Sequence, residues 1–249
     1  HAKQAFYAFM ASWSIWIRDP SVYGFAPRLK PIPPPVFADV EVQLTPEQEK
    51  IAREIRAASK RRGQTELFHD SVGVATQTKL SQVARGFLYE TETAHGPKGK
   101  TKKTRTVQHV PSRKPEAVAD LVARHAAQGD RAVVWVEYNE ESALLTQALR
   151  ARGLKVAEVT ADTSEAAQYE AIEAINAGTL DALVAKASSL GFGVNLQGAN
   201  VVIFSGINDS FEQDHQAFSR VWRDGQENTV HCYYVVTPLE AAMLANVRE

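Results

Sequence analysis

From residue 113 to the end of the chain, short apolar runs alternate with longer amphipathic segments. The amphipathic segments begin at proline or a capping residue and end at glycine, which predicts helices over Pro115–Gly129, Asn139–Gly153 and Ser164–Gly178. The apolar runs between and after them predict buried strands at 132–136, 154–159, 181–186, 200–204 and 229–236. This alternation predicts an α/β fold with a doubly wound, mainly parallel sheet flanked by helices, whose functional loops lie at the carboxyl ends of the strands.

The chain divides into three predicted parts of different composition. Residues 1–45 hold an aromatic-rich stretch with helical spacing at 4–25, followed by a proline-rich, extended connector. Residues 46–112 are predicted to be a helical segment with a basic loop, and residues 113–249 form the sheet-containing lobe. The aromatic side chains of the first part suit a packing face, with stacking on nucleic-acid bases as the alternative use.

The transition between the first two parts carries local folding signals. Alternating residues predict a short strand from Val36 to Leu44. Thr45, Pro46 and Gln48 then form the pattern of a capping box with proline at the first helical position, which predicts a helix reaching Arg62. A second capping box, Thr237 to Glu240, predicts that the last helix begins there.

Composition limits the classes of function. The chain has 249 residues, 44% hydrophobic content and a formal charge of −1, so any affinity for nucleic acid must come from local basic patches. A single cysteine, Cys232, excludes a disulfide framework and a cysteine-based metal site, and favours a reducing, cytoplasmic location. Apolar runs fall short of the roughly 20 residues that span a bilayer, so no membrane partner is expected. Since the chain opens on His1, we expect it to be part of a longer protein.

An arginine pattern near the end is the first candidate for chemistry. Offsets of four and three residues predict that Gln216, Arg220 and Arg223 share one stripe of a helix that Gly225 closes as a C-cap residue. Two guanidiniums facing the same way suit phosphate, because each planar fork is always charged and binds two oxygens at once. An ordinary solvated helix face is the alternative explanation.

The loop after the strand at 181–186 adds a second candidate. Ser188 and Ser189 follow that strand directly, and Gly191, Gly193 and Asn195 come next. Backbone N–H groups and hydroxyls at the carboxyl end of a strand can meet phosphate, although each glycine also fits a plain tight turn.

Taken in order, this loop, the next strand and the arginine segment resemble motifs V and VI of the Swi/Snf-type DNA translocases of helicase superfamily two. The resemblance is to their second, C-terminal RecA-like lobe, and the ending Arg223-x-Gly225-Gln226 favours this group over the RNA-helicase branch. Further likenesses are the segment Thr76–Gln82, the triplet Ser112–Lys114 and the closing Thr237–Glu240. Departures at Ser81, Ala161, Gly206 and 209–211 suggest a divergent branch, such as a phage or mobile-element one.

The resemblance implies an ATP-dependent DNA helicase or translocase. In that family, ATP with Mg²⁺ lies between two RecA-like lobes, and the N-terminal lobe carries the Walker A and B motifs. Arg223 is then the candidate arginine finger, Arg220 its catalytic partner, and Gln216 the side chain that orients or senses the nucleotide. The same resemblance assigns Gly191, Gly193, Asn195 and Gln226 to the nucleotide, and Ser188, Ser189 and Tyr138 to DNA. The expected partners are an N-terminal RecA-like lobe and duplex DNA, and the chain alone is not expected to hydrolyse ATP.

A basic stretch between 93 and 115 leaves one alternative open. Its residues Gly99-Lys100-Thr101 imitate a Walker A loop, but a phosphate loop needs a buried strand before it and a helix after it. The residues from Lys102 to Pro111 have loop or edge-strand character instead. We therefore interpret Lys100, Lys102 and Lys103 as contacts to the DNA backbone. A non-catalytic DNA-binding module and a self-sufficient P-loop ATPase using Lys100 remain the alternative functions.

Overall fold

A computed structural model describes Gly24 and residues 32–63, 69–95, 101–190, 193–206, 210–241 and 243–244. The stretch at 4–25, for which helical packing was predicted, lies outside the described residues apart from Gly24. So do two residues with assigned sites, Gly191 and Lys100. Among the described residues, no helix has the length and apolar character needed to cross a membrane.

Six strands form one sheet in which every neighbouring pair is parallel. They are β1 (Val36–Glu41), β4 (Ala132–Trp135), β5 (Val156–Val159), β6 (Ala182–Ala185), β7 (Val201–Phe204) and β8 (His231–Val236). Their order across the sheet is β1-β8-β7-β4-β6-β5. The two central strands, β4 and β7, are buried along their whole length, which explains their uninterrupted apolar sequences. The predicted doubly wound parallel sheet is confirmed.

Helices cover both faces of this sheet. On one face, α3 (Lys114–Ala126) and α4 (Asn139–Ala151) pack against alternate residues of the strands, such as Val134 and Ile203. On the other face, α5 (Glu165–Asn176) and α6 (Phe211–Phe218) pack against the intervening residues, such as Trp135 and Phe204. Because successive residues of a strand point to opposite faces, each central strand contributes to both cores.

The described residues between Pro46 and His109 form a smaller unit beside the sheet. Helices α1 (Pro46–Gly63) and α2 (His69–Ala84) pack together, and an antiparallel hairpin of β2 (Phe87–His95) and β3 (Thr101–His109) follows. Apolar residues of this unit, including Leu80 and Val83, pack with Leu239 of the C-terminal segment. A third small core therefore joins the unit to the sheet-containing lobe.

Capping hydrogen bonds form at two predicted helix starts, and at the third site, Thr237–Glu240, they close a turn after which helical residues begin at 241. Thr45 and Gln48 exchange hydrogen bonds, with Thr45 N donating to Gln48 Oε1 at 2.9 Å and Gln48 N donating to Thr45 Oγ1 at 3.2 Å. Ser164 Oγ accepts from Ala167 N at 3.3 Å. Glu240 Oε2 accepts from the backbone N–H of Thr237 at 3.2 Å. At α4 the prediction was off by one residue, because Tyr138, not Asn139, is the N-cap and offers no side-chain hydrogen bond.

The prediction for the arginine segment was wrong. Helix α6 ends at Phe218 with Ser219 as its C-cap, so Arg220 and Arg223 lie in turns rather than on a helical stripe with Gln216. Beyond Phe218 the bonding tightens into turns, with Val221 N donating to the Phe218 carbonyl at 3.0 Å, and the Arg220 carbonyl accepts from Leu196 N at 2.9 Å instead of from the next helical turn. Gly225 adopts a left-handed φ of 91°, as a turn requires, but it does not cap the helix.

Candidate functional site

The carboxyl ends of three neighbouring strands meet at one edge of the sheet. Trp135, the last residue of β4, is paired with Ala185 on one side and with Phe204 on the other. The loops that follow these strands therefore begin side by side, which places the serine loop near the segment that contains Arg220. A pocket of about 380 Å³ lies there, lined by Ala187, Ser188, Leu190, Ser210, Glu212, Gln213, Gln216 and Arg220.

Arg220 is the cation fixed in this pocket. Its Nη2 donates to the Ala187 carbonyl at 3.1 Å, and its guanidinium lies 5.4 Å from the ring centroid of Trp135. Its buried Nη1 has no hydrogen-bond partner among the described residues. Burial lowers the pKa of Arg220, but a guanidinium stays protonated at neutral pH. The site therefore presents a held positive charge with donor capacity left for an anion.

Three of the predicted site residues come together here. Gln216 and Ser188 line the pocket beside Arg220, although 28 residues separate Ser188 from Gln216 along the chain. Gln216 is exposed and its Nε2 donates to Glu212 Oε1 at 3.0 Å. Arg223 is exposed on the turn beyond Arg220, and Ser189 lies within the loop itself, where its N–H donates to the Lys186 carbonyl at 3.1 Å.

Two residues predicted to bind nucleotide lie elsewhere. Asn195 and Gln226 line a different depression of about 370 Å³. Gln226 is buried, and its Nε2 lies 2.8 Å from the Ala199 carbonyl and 3.1 Å from that of Gln197. Asn195 Oδ1 accepts from Gln197 N at 3.1 Å. These side chains hold the loop before β7 against the arginine turn, and their assignment to the nucleotide stays a prediction.

Gly193 has a structural requirement of its own. Its φ is 81°, in the left-handed region where glycine is favoured, and a side chain there would be strained even though space is open around its Cα. This conformation turns the chain between the serine loop and Asn195.

Tyr138 also has neighbours that the sequence did not reveal. Its ring centroid lies 5.3 Å from Phe87 and 6.1 Å from Tyr89, both in the hairpin strand β2. The guanidinium of Arg85 lies 5.2 Å from the Tyr138 centroid. Tyr138 is half-buried in this contact, and it joins the hairpin to the lobe. Its assignment to DNA stays a prediction.

The basic stretch is folded differently from a phosphate loop. Lys102 and Lys103 lie in β3, which pairs with β2 in antiparallel register, and Lys103 is opposite Thr93. A strand, not a helix, therefore follows Lys100, so the helix N-terminus that a Walker A loop requires is absent after it. The edge-strand interpretation of this segment is the correct one.

Four buried charges form a network that the sequence did not predict. Lys114 Nζ lies 2.8 Å from both carboxylate oxygens of Glu240, while Arg85 Nε lies 3.4 Å from Glu141 and 3.5 Å from Glu240. Ser205 Oγ donates to Glu141 Oε1 at 3.0 Å. Burial lowers the pKa of Lys114, and the Glu240 carboxylate opposes that effect. The network joins the small N-terminal unit, α3, α4 and the C-terminal segment.

A buried carboxyl near the pocket was also missed. Asp214 lies in α6, is 4% exposed, and has no hydrogen-bond partner for Oδ2 among the described residues. Burial, together with the nearby Glu137, raises the pKa of Asp214 to about 7. An unpaired carboxylate there is costly, so the folded chain favours the protonated form.

We expect Asp214→Asn to change how stability depends on pH. Because the pKa of Asp214 is raised on folding, wild-type stability falls as pH rises from about 4 to about 7 and then levels off. Between about pH 5 and about pH 8 the loss of the Asp214 contribution amounts to roughly 3 kcal/mol, at about 1.4 kcal/mol per pKa unit. The neutral variant lacks it, and urea unfolding of both proteins at the two pH values measures the difference. Equal pH dependence in the two proteins would show that Asp214 is ionised without cost.

Part of the sheet-containing lobe matches a known protein family. The helicase conserved C-terminal domain matches residues 113–225. The chain is 29% identical over 136 residues to the DNA repair and recombination protein RAD54B of Gallus gallus, which covers 53% of this chain and 15% of that protein. It is 33% identical over 106 residues to the DNA repair protein rhp54 of Schizosaccharomyces pombe, covering 42% and 12%. The chain thus spans only a small part of the length of these relatives.

Solved structures agree in fold. The C-terminal part of the Fun30 ATPase domain superposes with a TM-score of 0.64 at 16% identity, covering 87% of this chain and 90% of that one. The C-terminal domain of the Sulfolobus solfataricus SWI2/SNF2 ATPase gives 0.61 at 15% identity, covering 86% and 85%. The core of the latter protein in complex with double-stranded DNA gives 0.61 at 18% identity, covering 95% of this chain and 47% of that one. Together with the Rad54-type relatives, these findings show that residues 113–225 belong to a helicase conserved C-terminal domain whose structural neighbours are SWI2/SNF2 ATPase C-terminal domains.

Proposed function

We propose that this lobe supplies the arginine finger and part of the DNA-contacting surface of an ATP-dependent DNA translocase. The observation that carries the proposal is the pocket at the carboxyl edge of the sheet, where Arg220 is fixed beside Ser188 and Gln216. Motifs that are separate in sequence meet there around a cation with an unbonded Nη1. Such a group is suited to negative charge that develops on a transferred phosphoryl group.

The residues present fit ATP better than they fit its metal ion. Arg220, Arg223 and Gln216 offer donors to phosphate oxygens, and arginine binds such oxygens in a bidentate manner. Among the described residues no three His, Cys, Asp or Glu side chains are grouped so as to hold a metal ion. Mg²⁺ would therefore be held mainly through the N-terminal lobe and the phosphates, where it neutralises charge on the nucleotide.

Arg220 and Arg223 have different roles in this proposal. Arg220 is held by the Ala187 carbonyl and the Trp135 ring, so it also stabilises the edge of the sheet. Arg223 is exposed, with no such contact to the described residues, and is free to reach across to a nucleotide held by another lobe. Arg223 is therefore the finger, and Arg220 is the fixed partner that sets the charge of the pocket.

DNA contact is proposed for two surfaces. Ser188 is exposed at the rim of the pocket, where its hydroxyl could bind a phosphate next to the nucleotide site. The hairpin strand β3 carries Lys102 and Lys103, which add positive charge on an otherwise nearly neutral chain. The DNA complex of the Sulfolobus solfataricus neighbour supports duplex DNA as the track.

Triplex displacement tests this function. The chain is joined to an N-terminal RecA-like lobe of the Swi/Snf type and given duplex DNA that carries a third strand. We expect ATP-dependent release of the third strand without separation of the duplex, because a translocase moves along the duplex without opening it. Release that does not need ATP, or no release at all despite DNA binding, would favour the non-catalytic DNA-binding module.

A further inference from the structure

The connector before β1 contacts the arginine turn directly. Trp222 lies between Arg220 and Arg223 in sequence, and its indole Nε1 donates to the carbonyl oxygen of Pro33 at 2.9 Å. The two residues are 189 positions apart, so this bond joins the beginning of the described chain to the turn.

Aromatic packing strengthens the same contact. The Trp222 ring stacks on Phe218 with centroids 5.6 Å apart and an interplanar angle of 28°. Phe218 in turn packs against Phe37 of β1, with centroids 5.3 Å apart. Phe37 is 55% exposed, so its ring packs against Phe218 at the surface and not inside the main core. One hydrogen bond and one ring contact therefore fasten residues 33–37 to the end of α6, where Trp222 also stacks on Phe218.

The proline-rich connector before β1 is stiff, so a displacement at one of its ends also moves the other end. Pro33, Pro34 and Pro35 limit the backbone to extended conformations, so this segment behaves as a semi-rigid spacer. Immediately after it, Val36 N donates to the Val230 carbonyl at 2.9 Å, and β1 pairs with β8 along its whole length. A stiff segment anchored at both the sheet and the turn fixes the distance between them.

Resting on the proposed function above, we infer that Trp222 is a positioning residue through which the inter-lobe connector holds Arg223 in place. The backbone of the turn sets where the exposed Arg223 side chain starts, and phosphoryl transfer is sensitive to displacements of about 1 Å. Trp222 does not itself line the pocket that holds Arg220. Its effect on turnover is therefore exerted through the turn and not through contact with the nucleotide.

The test is Trp222→Phe in the chain joined to its N-terminal lobe. Phenylalanine keeps a ring for Phe218 but removes the N–H that Pro33 accepts. We expect kcat for DNA-stimulated ATP hydrolysis to fall about threefold to tenfold, the size of effect that one lost hydrogen bond produces. The KM for ATP and the affinity for DNA should stay within about twofold. Tyr169→Phe, which removes a hydroxyl from an exposed ring on α5, is the matched control and should leave all three unchanged.

Hydrogen exchange on the same variants separates the possible outcomes. Amides of residues 222–226 should exchange faster in Trp222→Phe, while those of β4 and β7 stay protected. Unchanged kcat and unchanged exchange in an active motor would overturn the positioning role and leave the proposed function intact. A uniform loss of protection would show that Trp222 acts on overall stability, which also overturns the inference. A wild-type joined protein without ATP turnover would instead remove the proposed function, and the inference with it.

Discussion

Arg223→Ala in the two-lobe motor is expected to reduce kcat for ATP hydrolysis by about 10³-fold or more, the range typical of a lost arginine finger. The physical reason is that the guanidinium stabilises charge present only as the phosphoryl group is transferred. DNA affinity should change by less than about threefold, because the residue is expected to face the nucleotide. Steady-state ATP hydrolysis at saturating duplex DNA, together with DNA binding by fluorescence anisotropy, measures both.

The choice of Arg223 over Arg220 matters for this experiment. Arg220 is bonded to the Ala187 carbonyl and lies over Trp135, so its removal also disturbs the sheet edge. Arg223 is exposed, and its removal should leave the melting temperature unchanged. Arg53→Ala, at an exposed position on α1, is the control for loss of one positive charge. Turnover retained in Arg223→Ala would exclude the finger role.

Glu240→Ala is expected to destabilise the chain by about 3–5 kcal/mol, the usual cost of breaking a buried ion pair from one side. Glu240 is fully buried and accepts from Lys114 Nζ, from Thr237 N and from Thr237 Oγ1. Its loss leaves Lys114 and Arg85 with Glu141 as the remaining carboxylate of the network. The loss is a large part of the roughly 5–15 kcal/mol that holds a domain together. Urea unfolding measures it.

A surface ion pair provides the control for this variant. Arg152 Nη2 lies 2.6 Å from Glu116 Oε2, but the Glu116 side chain is 63% exposed. Glu116→Ala should therefore cost less than about 1 kcal/mol, because water screens the pair. A second variant, Glu240→Gln with Lys114→Met, removes both charges of the buried pair and should recover part of the loss. If Glu240→Ala cost no more than Glu116→Ala, water would have to reach the network.

Local signals carried most of the fold prediction. The strands at 132–136 and 200–204 were recognisable because parallel strands buried on both faces are uninterruptedly apolar. Thr45 with Gln48 and Ser164 were recognisable because a capping side chain bonds a backbone N–H only a few residues away. Such features depend on neighbours in sequence, and so the sequence contains them.

The errors came from contacts between distant residues. Helix α6 stops at Phe218, and the turn that follows it is held by a bond from Leu196 N–H to the Arg220 carbonyl, which no helical periodicity encodes. The burial of Gln226 was not predictable for the same reason, since the carbonyls of Ala199 and Val221 that it contacts are brought to it by the fold. The network around Arg85 and Glu240 joins residues from both ends of the chain, so no spacing rule could reveal it.

Some features of the candidate site could be predicted from the sequence, and others depend on contacts between distant residues. The resemblance to a helicase lobe singled out Ser188, Gln216 and Arg220, and the structure places all three at one pocket; their roles stay predictions. It did not show that Arg220 is held by Trp135 or that Asp214 Oδ2 lies nearby, buried and without a hydrogen-bond partner among the described residues. Those features depend on burial, which the spacing of polar residues does not report.

The most direct test asks whether this chain needs a second lobe to hydrolyse ATP. We would measure ATP hydrolysis by the chain alone and by the chain joined to an N-terminal RecA-like lobe, each with and without duplex DNA. The lobe assignment predicts no turnover by the chain alone, and DNA-stimulated turnover once the second lobe completes the nucleotide cleft. At saturating duplex DNA, the same measurement on Lys100→Ala should show no loss of turnover in the joined protein. Turnover by the isolated chain that Lys100→Ala abolishes would contradict the account, because the basic segment would then be a true phosphate loop.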